Sequence, residues 1–404
     1  MLKPDANKPA LLRLRVTSAA ERTLRQGHPW VYDKSILEQK GSGQTGELAV
    51  IYDRENQFLA LGLFDAASPI RFRSLHVDAP TTLDRAWWGG RLAAACQARV
   101  KAFDNQTTGY RCVHGENDGW PGLVLDRYDR TFVLKLYTAA WFSRLEEIAG
   151  LIEQQLSPER IVLRLSRNLQ AEARVLGLAD GQVIKGAPLA GPVTFLESGL
   201  RFESDVLRGQ KTGFFLDQRE NRRLVGESAG GRAVLNVFSF SGGFSLYAAR
   251  GGARSATDLD ISRHALAAAQ RNFDLNQSHP QVAACRHESV QADAFEWLAT
   301  DPKPRYDFIV LDPPSLAKRE SERPGALTAY HRLVGLAGKH LAPGGILVAC
   351  SCSAHVSTSE FYETVRAAAA PLQFRELRTT GHPSDHPAKF KEAEYLKAIF
   401  LQFV

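Results

Sequence analysis

From about residue 196 onward, apolar strands and helices alternate along the chain. "AVLNVFSF", "RSATDLD", "QVAACRHE", "YDFIVLD" and "GILVACS" read as strands, with helical segments such as "SRHALAAAQRNFDLN" between them. No other feature constrains the fold as strongly. Apolar strands alternating with helices require a parallel sheet with crossover connections, so the region is expected to be α/β with a doubly wound, mostly parallel sheet. "FRELRTT" and "YLKAIFLQFV" lie close together at the end, which suits a terminal antiparallel hairpin.

The residues upstream divide in two. Residues 1–78 carry the short alternating runs "LLRLRV", "GELAVIYD", "FLALGLF" and "IRFRSL", bounded by Gly, Asp, Asn or Ser, which predicts a small β-barrel or β-rich module. "GHPWVY" sets Pro29 and Trp30 at the start of a strand. Residues 79–195 are mixed α/β. "TLDRAWWGGRLAAACQARVKAF" has helical spacing, with Leu83, Trp87, Leu92 and Cys96 on one face. Strands follow at "RCVHG", "GLVLDRYDRTFVLKLY" and "RIVLRLS", with a helix near 141–156, and "DGQVIKGAPLAGP" reads as a linker. A length of 404 residues fits this organisation: 1–78, 79–195 and 196–404.

Fifty basic residues against forty-four acidic ones give a net charge of +6, a mild bias toward polyanionic partners. RNA binding rests on local patches, and Arg71, Arg73, Arg127, Arg130, Lys135, Arg164 and Arg167 are the dispersed candidates for phosphate contact. The alternating arginines of "IRFRS" suit either a basic face or a solvated outer face. Trp30 and Trp120 suit either base stacking or core packing. Five cysteines without a Cys-x-x-Cys argue against a disulfide framework and a zinc site. The N-terminus shows no apolar leader core, and no apolar run approaches the roughly 20 residues that span a bilayer. A cytoplasmic protein without a membrane partner is expected.

In an open α/β sheet, ligands lie outside the carboxyl ends of the strands. Those ends hold "NVFSFSGGFS" with Gly242 and Gly243, "TDLDIS" with Asp258 or Asp260, Asp293 in "VQADAFEWL", "LDPPS", and the thiols Cys350 and Cys352. There is no Gly-x-Gly-x-x-Gly for a dinucleotide pyrophosphate. A glycine turn, a ribose-binding acid and a slot for adenine suit an adenosyl ligand without phosphates, and S-adenosylmethionine fits that description. Taken singly, a Gly pair is a turn, an Asp after a strand is a helix cap and a buried Cys is a small hydrophobe. Their coincidence at different strand ends points to a site.

A thiolate that adds to C6 of a pyrimidine makes C5 nucleophilic, so a cysteine at the substrate face is the expected device for C5 methylation. Strand parity leaves both thiols open, but Cys352 lies past the strand where a cleft is accessible. Asp312 is placed to bind the base or handle protons. His355 suits either a proton acceptor or a surface residue.

Together "GHPWVY", "GENDGWPGLVLDRYDR", "KTGFFLDQRENR", "VLNVFSFSGGFSLYAARGGA", "DLDISRHAL", "VLDPPSLAK", "CSCSAHVS" and "DHP…EYLK" resemble the bacterial 23S ribosomal RNA 5-methylcytosine methyltransferases with an N-terminal PUA domain. The resemblance covers nearly the whole chain. It implies a PUA-like RNA-binding barrel, a small α/β middle domain, a class I methyltransferase domain, S-adenosylmethionine as donor and large-subunit ribosomal RNA as partner. It also implies that Phe214, Phe215, Asp217, Gln218 and Arg219 line the donor pocket. With them stand Asn236, Phe238, Ser241, Gly242 and Gly243, then Asp260 at the ribose with Ile261, Asp293 at the adenine with Ala294, and Asp312 with Pro313. Cys352 takes the nucleophile role. Related enzymes carry a second cysteine beside the proline loop, where this chain has Ser315. The Asp-Pro-Pro loop is also similar to that of RNA 5-methyluridine methyltransferases. A 5-methyluridine enzyme, a purine N-methyltransferase and a non-catalytic RNA-binding factor are the alternatives; a homodimer stays open.

Overall fold

A computed structural model describes residues 11–77, 79–300 and 305–404. The expectation about a leader falls largely on residues 1–10, outside the described residues. Two compact units emerge: residues 1–193 with 204–214, and residues 194–203 with 215–404. No helix among the described residues is long and apolar enough to cross a membrane.

The first unit begins with β1 (Leu12–Val16), α1 (Ser18–Arg25), β2 (Trp30–Tyr32), β3 (Ile36–Lys40), β4 (Leu48–Tyr52), β5 (Phe58–Phe64) and β6 (Ile70–Val77). These strands form one six-stranded sheet in the order β2-β6-β5-β4-β1-β3. The alternating runs form β1, β4, β5 and β6, and bury Leu12, Leu14, Ile51, Leu59 and Phe72. Helix α1 lacked a sequence signal because its mean hydropathy is low; Thr17 caps it by accepting from the Ala20 amide.

Next come α2 (Arg85–Val100), β7 (Gly109–His114), β8 (Leu123–Tyr128), β9 (Thr131–Leu136), α3 (Leu145–Leu156), β10 (Arg160–Leu165), α4 (Gln170–Val175) and β11 (Gln182–Gly186). The five strands are ordered β11-β10-β9-β8-β7. Two details differ from the sequence expectation. Part of the supposed linker is β11, an edge strand antiparallel to β10. The buried face of α2 centres on Trp88, Leu92 and Ala95, with Trp87 and Cys96 only half-buried. Trp88 sets that rotation by packing 5.2 Å from Trp120 and 5.6 Å from Trp141.

A hairpin of β12 (Val193–Glu197) and β13 (Leu200–Ser204) leads to α5 (Arg219–Ser228), β14 (Ala233–Val237), α6 (Gly243–Arg250), β15 (Ser255–Asp260), α7 (Arg263–Asp274), α8 (Pro280–Ala284) and β16 (Arg286–Gln291). Then follow α9 (Ala294–Leu298), β17 (Tyr306–Leu311), α10 (Arg323–His340), β18 (Leu341–Ser351), α11 (Thr358–Ala369), β19 (Phe374–Thr380) and β20 (Lys397–Phe403). The sheet runs β16-β15-β14-β17-β18-β20-β19. The first five strands are parallel, and β20 pairs antiparallel with both β18 and β19. "QVAACRHE" is not one strand: Pro280 opens α8, and the exposed edge strand β16 starts only at Arg286.

Strand order reverses between β14 and β17, which puts the ligand-binding crevice at the carboxyl ends of those strands. One sheet face, carrying Leu235, Val237, Ile309, Leu347 and Ala349, is covered by Leu298, Tyr330 and Phe361 from α9, α10 and α11.

Candidate active site

After β14 the chain turns through Phe238 and Phe240, both at positive φ (61° and 48°). Non-glycine residues hold that conformation only when their surroundings fix it. Here the Phe238 amide donates to the Leu259 carbonyl at 2.9 Å and the Phe240 amide to Asp260 Oδ2 at 2.9 Å. Gly242, at φ 73°, is required twice over, since a Cβ there would sit 2.8 Å from Ala269 Cβ and 2.9 Å from Asp258 Oδ2. Gly243 starts α6.

Of the two acids at β15, Asp258 is wholly buried and accepts from Asn236 Nδ2 (3.0 Å) and Ser245 Oγ (2.5 Å), with His287 Nε2 at 2.8 Å. It holds the loop from inside, and Asn236 is buried with it. Ser241 is also buried; its carbonyl accepts from Asn272. Asp260 is half-exposed at the strand end, takes the amides of Phe240 and Ser262, and is followed by Ile261, 68% exposed. Asp293 caps α9 through Oδ1, which accepts from the Phe295 and Glu296 amides; Ala294 is buried beside it. Its Oδ2 has no protein partner among the described residues. An acid at the second strand end, an apolar side chain in solvent next to it and a carboxylate oxygen at the third strand end suit an adenosyl group.

Phe215 packs edge-on against Phe240 at 5.0 Å. Gln218 Nε2 donates to Asp312 Oδ1 at 2.8 Å. Asp217 accepts from the Tyr395 hydroxyl (2.8 Å), and Arg219 donates twice to buried Asp385 (2.8 and 3.2 Å). Asp217 and Arg219 therefore anchor this segment to the loop before β20. Phe214, also buried, belongs to the first unit. His382, held uncharged by burial with its pKa near 4, accepts the amides of Tyr395 and Leu396 at 3.0 Å each.

The two thiols differ sharply. Cys350 is 1% exposed, and burial, with Asp312 nearby, pushes its pKa well above that of an ordinary thiol. Cys352 is partly exposed, with Sγ 4.0 Å from the Pro313 carbonyl oxygen. The flanking serines fix it. Ser353 Oγ accepts from the Leu316 amide (3.1 Å) and the Ala317 amide (3.3 Å), and lies 3.2 Å from Ser315 Oγ. The Tyr330 hydroxyl bridges Ser351 (2.9 Å) and Ser353 (3.1 Å). These bonds staple the end of β18 to the proline loop. His355 faces solvent, 3.5 Å from Glu320.

Tyr330 gave no sequence signal, because it lies mid-helix among core residues. Tyr330→Phe should cost about 1–2 kcal/mol, since buried hydroxyls lose a partner. A urea midpoint unchanged from wild type would contradict this role for the hydroxyl.

Several phosphate candidates are internal. Arg73, 6% exposed, pairs with Glu116 at 3.1 Å, and Trp30 Nε1 donates to the same carboxylate at 2.7 Å. "IRFRS" is thus neither a basic nor a solvated face at Arg73. Arg164 is buried against Asp180 and the carbonyls of Val206 and Gly209. Trp120 is core. Arg127 and Arg130 line a cavity of about 540 Å³ in the first unit, with Tyr110, Cys96 and Phe132.

Fold and site together define a class I methyltransferase: a mostly parallel seven-stranded sheet with glycine turn, acids and proline loop at its carboxyl ends. The S-adenosylmethionine-dependent methyltransferase family matches residues 110–402, and a PUA-like domain matches residues 14–76. A "Ribosomal RNA large subunit methyltransferase" of Deinococcus radiodurans is 55% identical over the full length of both chains. "Ribosomal RNA large subunit methyltransferase I" of Shewanella amazonensis is 33% identical, covering 96% of this chain and 98% of its own. The solved structure named "A putative sam-dependent methyltransferase from Streptococcus mutans" shares the fold, with a TM-score of 0.79 at 21% identity over 96% of this chain and 99% of its own. The chain belongs to the S-adenosylmethionine-dependent methyltransferase family, and S-adenosylmethionine is its methyl donor.

Proposed function

We propose that this protein methylates C5 of a cytosine in large-subunit ribosomal RNA, with Cys352 as the covalent nucleophile. The observation that carries the chemistry is the placement of one accessible thiol, Cys352, on a stapled turn beside the Asp312–Pro313 loop. The names of the ribosomal RNA methyltransferase relatives support the substrate class, and a PUA-like domain suits an RNA partner. A cytoplasmic location follows from that substrate.

S-adenosylmethionine, when bound, supplies an electrophilic sulfonium methyl. Asp260 and Asp293 would hold its ribose and adenine, Ile261 would cover the ring, and the Phe238–Gly243 turn would seat it. Cys352 attacks C6 of the base as thiolate, which pushes electron density to C5. After C5 has gained its methyl group, loss of the C5 proton expels the thiolate and restores the aromatic ring. Gln218 holds the Asp312 carboxylate in place, where it can accept from the amino edge of cytosine. An amino donor would favour cytosine over uracil, whose C4 oxygen a carboxylate would repel. Ser315 hydrogen-bonds within the staple, so elimination proceeds without a second thiol.

The test is bisulfite and mass-spectrometric mapping of ribosomal RNA from cells with and without this gene. One 5-methylcytosine should vanish from large-subunit RNA and return with the purified enzyme. Loss of a 5-methyluridine or an N-methylated purine instead would overturn the assignment.

A further inference from the structure

Lys397, at the start of β20, lies opposite Ser351 in the β18–β20 register. It is 1% exposed, and its Nζ donates to the carbonyls of Ser353 (2.8 Å) and Val356 (2.5 Å), the turn that follows Cys352. No carboxylate lies within ion-pair distance of it among the described residues. A buried ammonium without an anion is costly. Of the groups whose negative charge favours its charged form, Cys352 acts most strongly, followed by Glu394 and Glu360. Burial lowers the Lys397 pKa to about 8, so the side chain is still largely charged at neutral pH. His382, also near it, is neutral there. Two groups that interact with Cys352 are neutral: Tyr330, raised to about 12 by burial, and Cys350, raised well above an ordinary thiol.

We propose that Lys397 is the positioning residue for Cys352: it pins the 353–356 turn through two carbonyls and sets a positive charge next to the sulfur. The sulfur, as thiolate, in turn compensates the buried cation. This rests on the nucleophile reading above for its purpose, but not for its test.

The pH dependence of iodoacetamide alkylation at Cys352, located by peptide mass spectrometry in the full-length protein, tests the proposal. In wild type the midpoint should fall below the roughly 8.5 of a free cysteine. In Lys397→Met it should rise by about one unit, with a labelling rate at pH 7 about tenfold lower. Lys397→Arg should restore most of the wild-type profile, which a merely space-filling role would not predict. A wild-type midpoint at or above that of a free thiol overturns the proposal even if the methionine variant fails to fold. So does an unchanged profile in a folded Lys397→Met. If Cys352→Ala still transferred methyl groups, the nucleophile reading would fail while the alkylation profiles would still report on Lys397.

Discussion

Cys352→Ala is expected to lower methyl transfer by on the order of 10³-fold or more, because a covalent step cannot be replaced by neighbouring groups. Donor binding should be unaffected, since Asp260, Asp293 and the turn after β14 are untouched. Isothermal calorimetry with S-adenosylmethionine would show this alongside the activity assay. An RNA oligomer with 5-fluorocytosine at the target should form a crosslink with wild type, because fluorine at C5 blocks the final proton loss. The variant should form none. Cys350→Ala should stay within a few-fold of wild type, since its buried thiol is held protonated. Activity of Cys352→Ala within tenfold of wild type would remove covalent catalysis from the mechanism.

The second large effect concerns the Arg219–Asp385 pair. Both residues are almost fully buried, and the pair joins the start of α5 to the loop before β20. Asp385→Ala should cost about 3–5 kcal/mol, because a buried guanidinium loses its two-pronged carboxylate partner. Arg219→Met with Asp385→Leu should recover much of that loss, since an apolar pair avoids the charge penalty. Denaturant midpoints of the single and double variants measure this; single variants within about 0.5 kcal/mol of wild type would be inconsistent with a buried pair.

Acid titration separates this pair from its neighbour. His386 and Arg219 overcome the opposing effect of burial and hold Asp385 well below the usual carboxylate range. Its contribution is therefore present above about pH 4, and is lost only as pH falls through the depressed value. His382 acts in the same sense but in a higher window: its folded pKa near 4 lies below the usual imidazole value. The unfolded chain binds the extra proton, so stability falls as pH drops from about 6.5 toward 4, before the ion pair is affected.

Much of the catalytic unit was legible along the chain. The alternation of strand and helix announced a parallel sheet, and the rule about strand ends gathered Gly242, Gly243, Asp258 or Asp260, Asp293, the Asp312 loop and the thiols Cys350 and Cys352 from the sequence. Local signals could not rank Asp258 against Asp260, because two residues of one strand share parity. Burial ranked them: Asp258 faces Asn236, Ser245 and His287 inside the unit, while Asp260 stands at the rim. For the thiols, position along the strand already favoured Cys352, and burial points the same way, with Cys350 1% exposed and Cys352 partly exposed. The arginines of "IRFRS" misled because a strand pattern does not say what lies opposite, and Glu116 lies opposite Arg73.

The sequence by itself determined the kind of sheet, the order of its elements and the set of residues at its carboxyl ends, because periodicity and turn chemistry act over a few neighbouring residues. Only the tertiary structure decided what each polar group meets. Arg219 finds Asp385 across 166 positions, Lys397 reaches the Ser353 carbonyl across 44, and Tyr330 ties the two serines around Cys352. Charge and hydrogen bonding are settled by distance in space and loss of water, and neither is written in the spacing of residues along a chain.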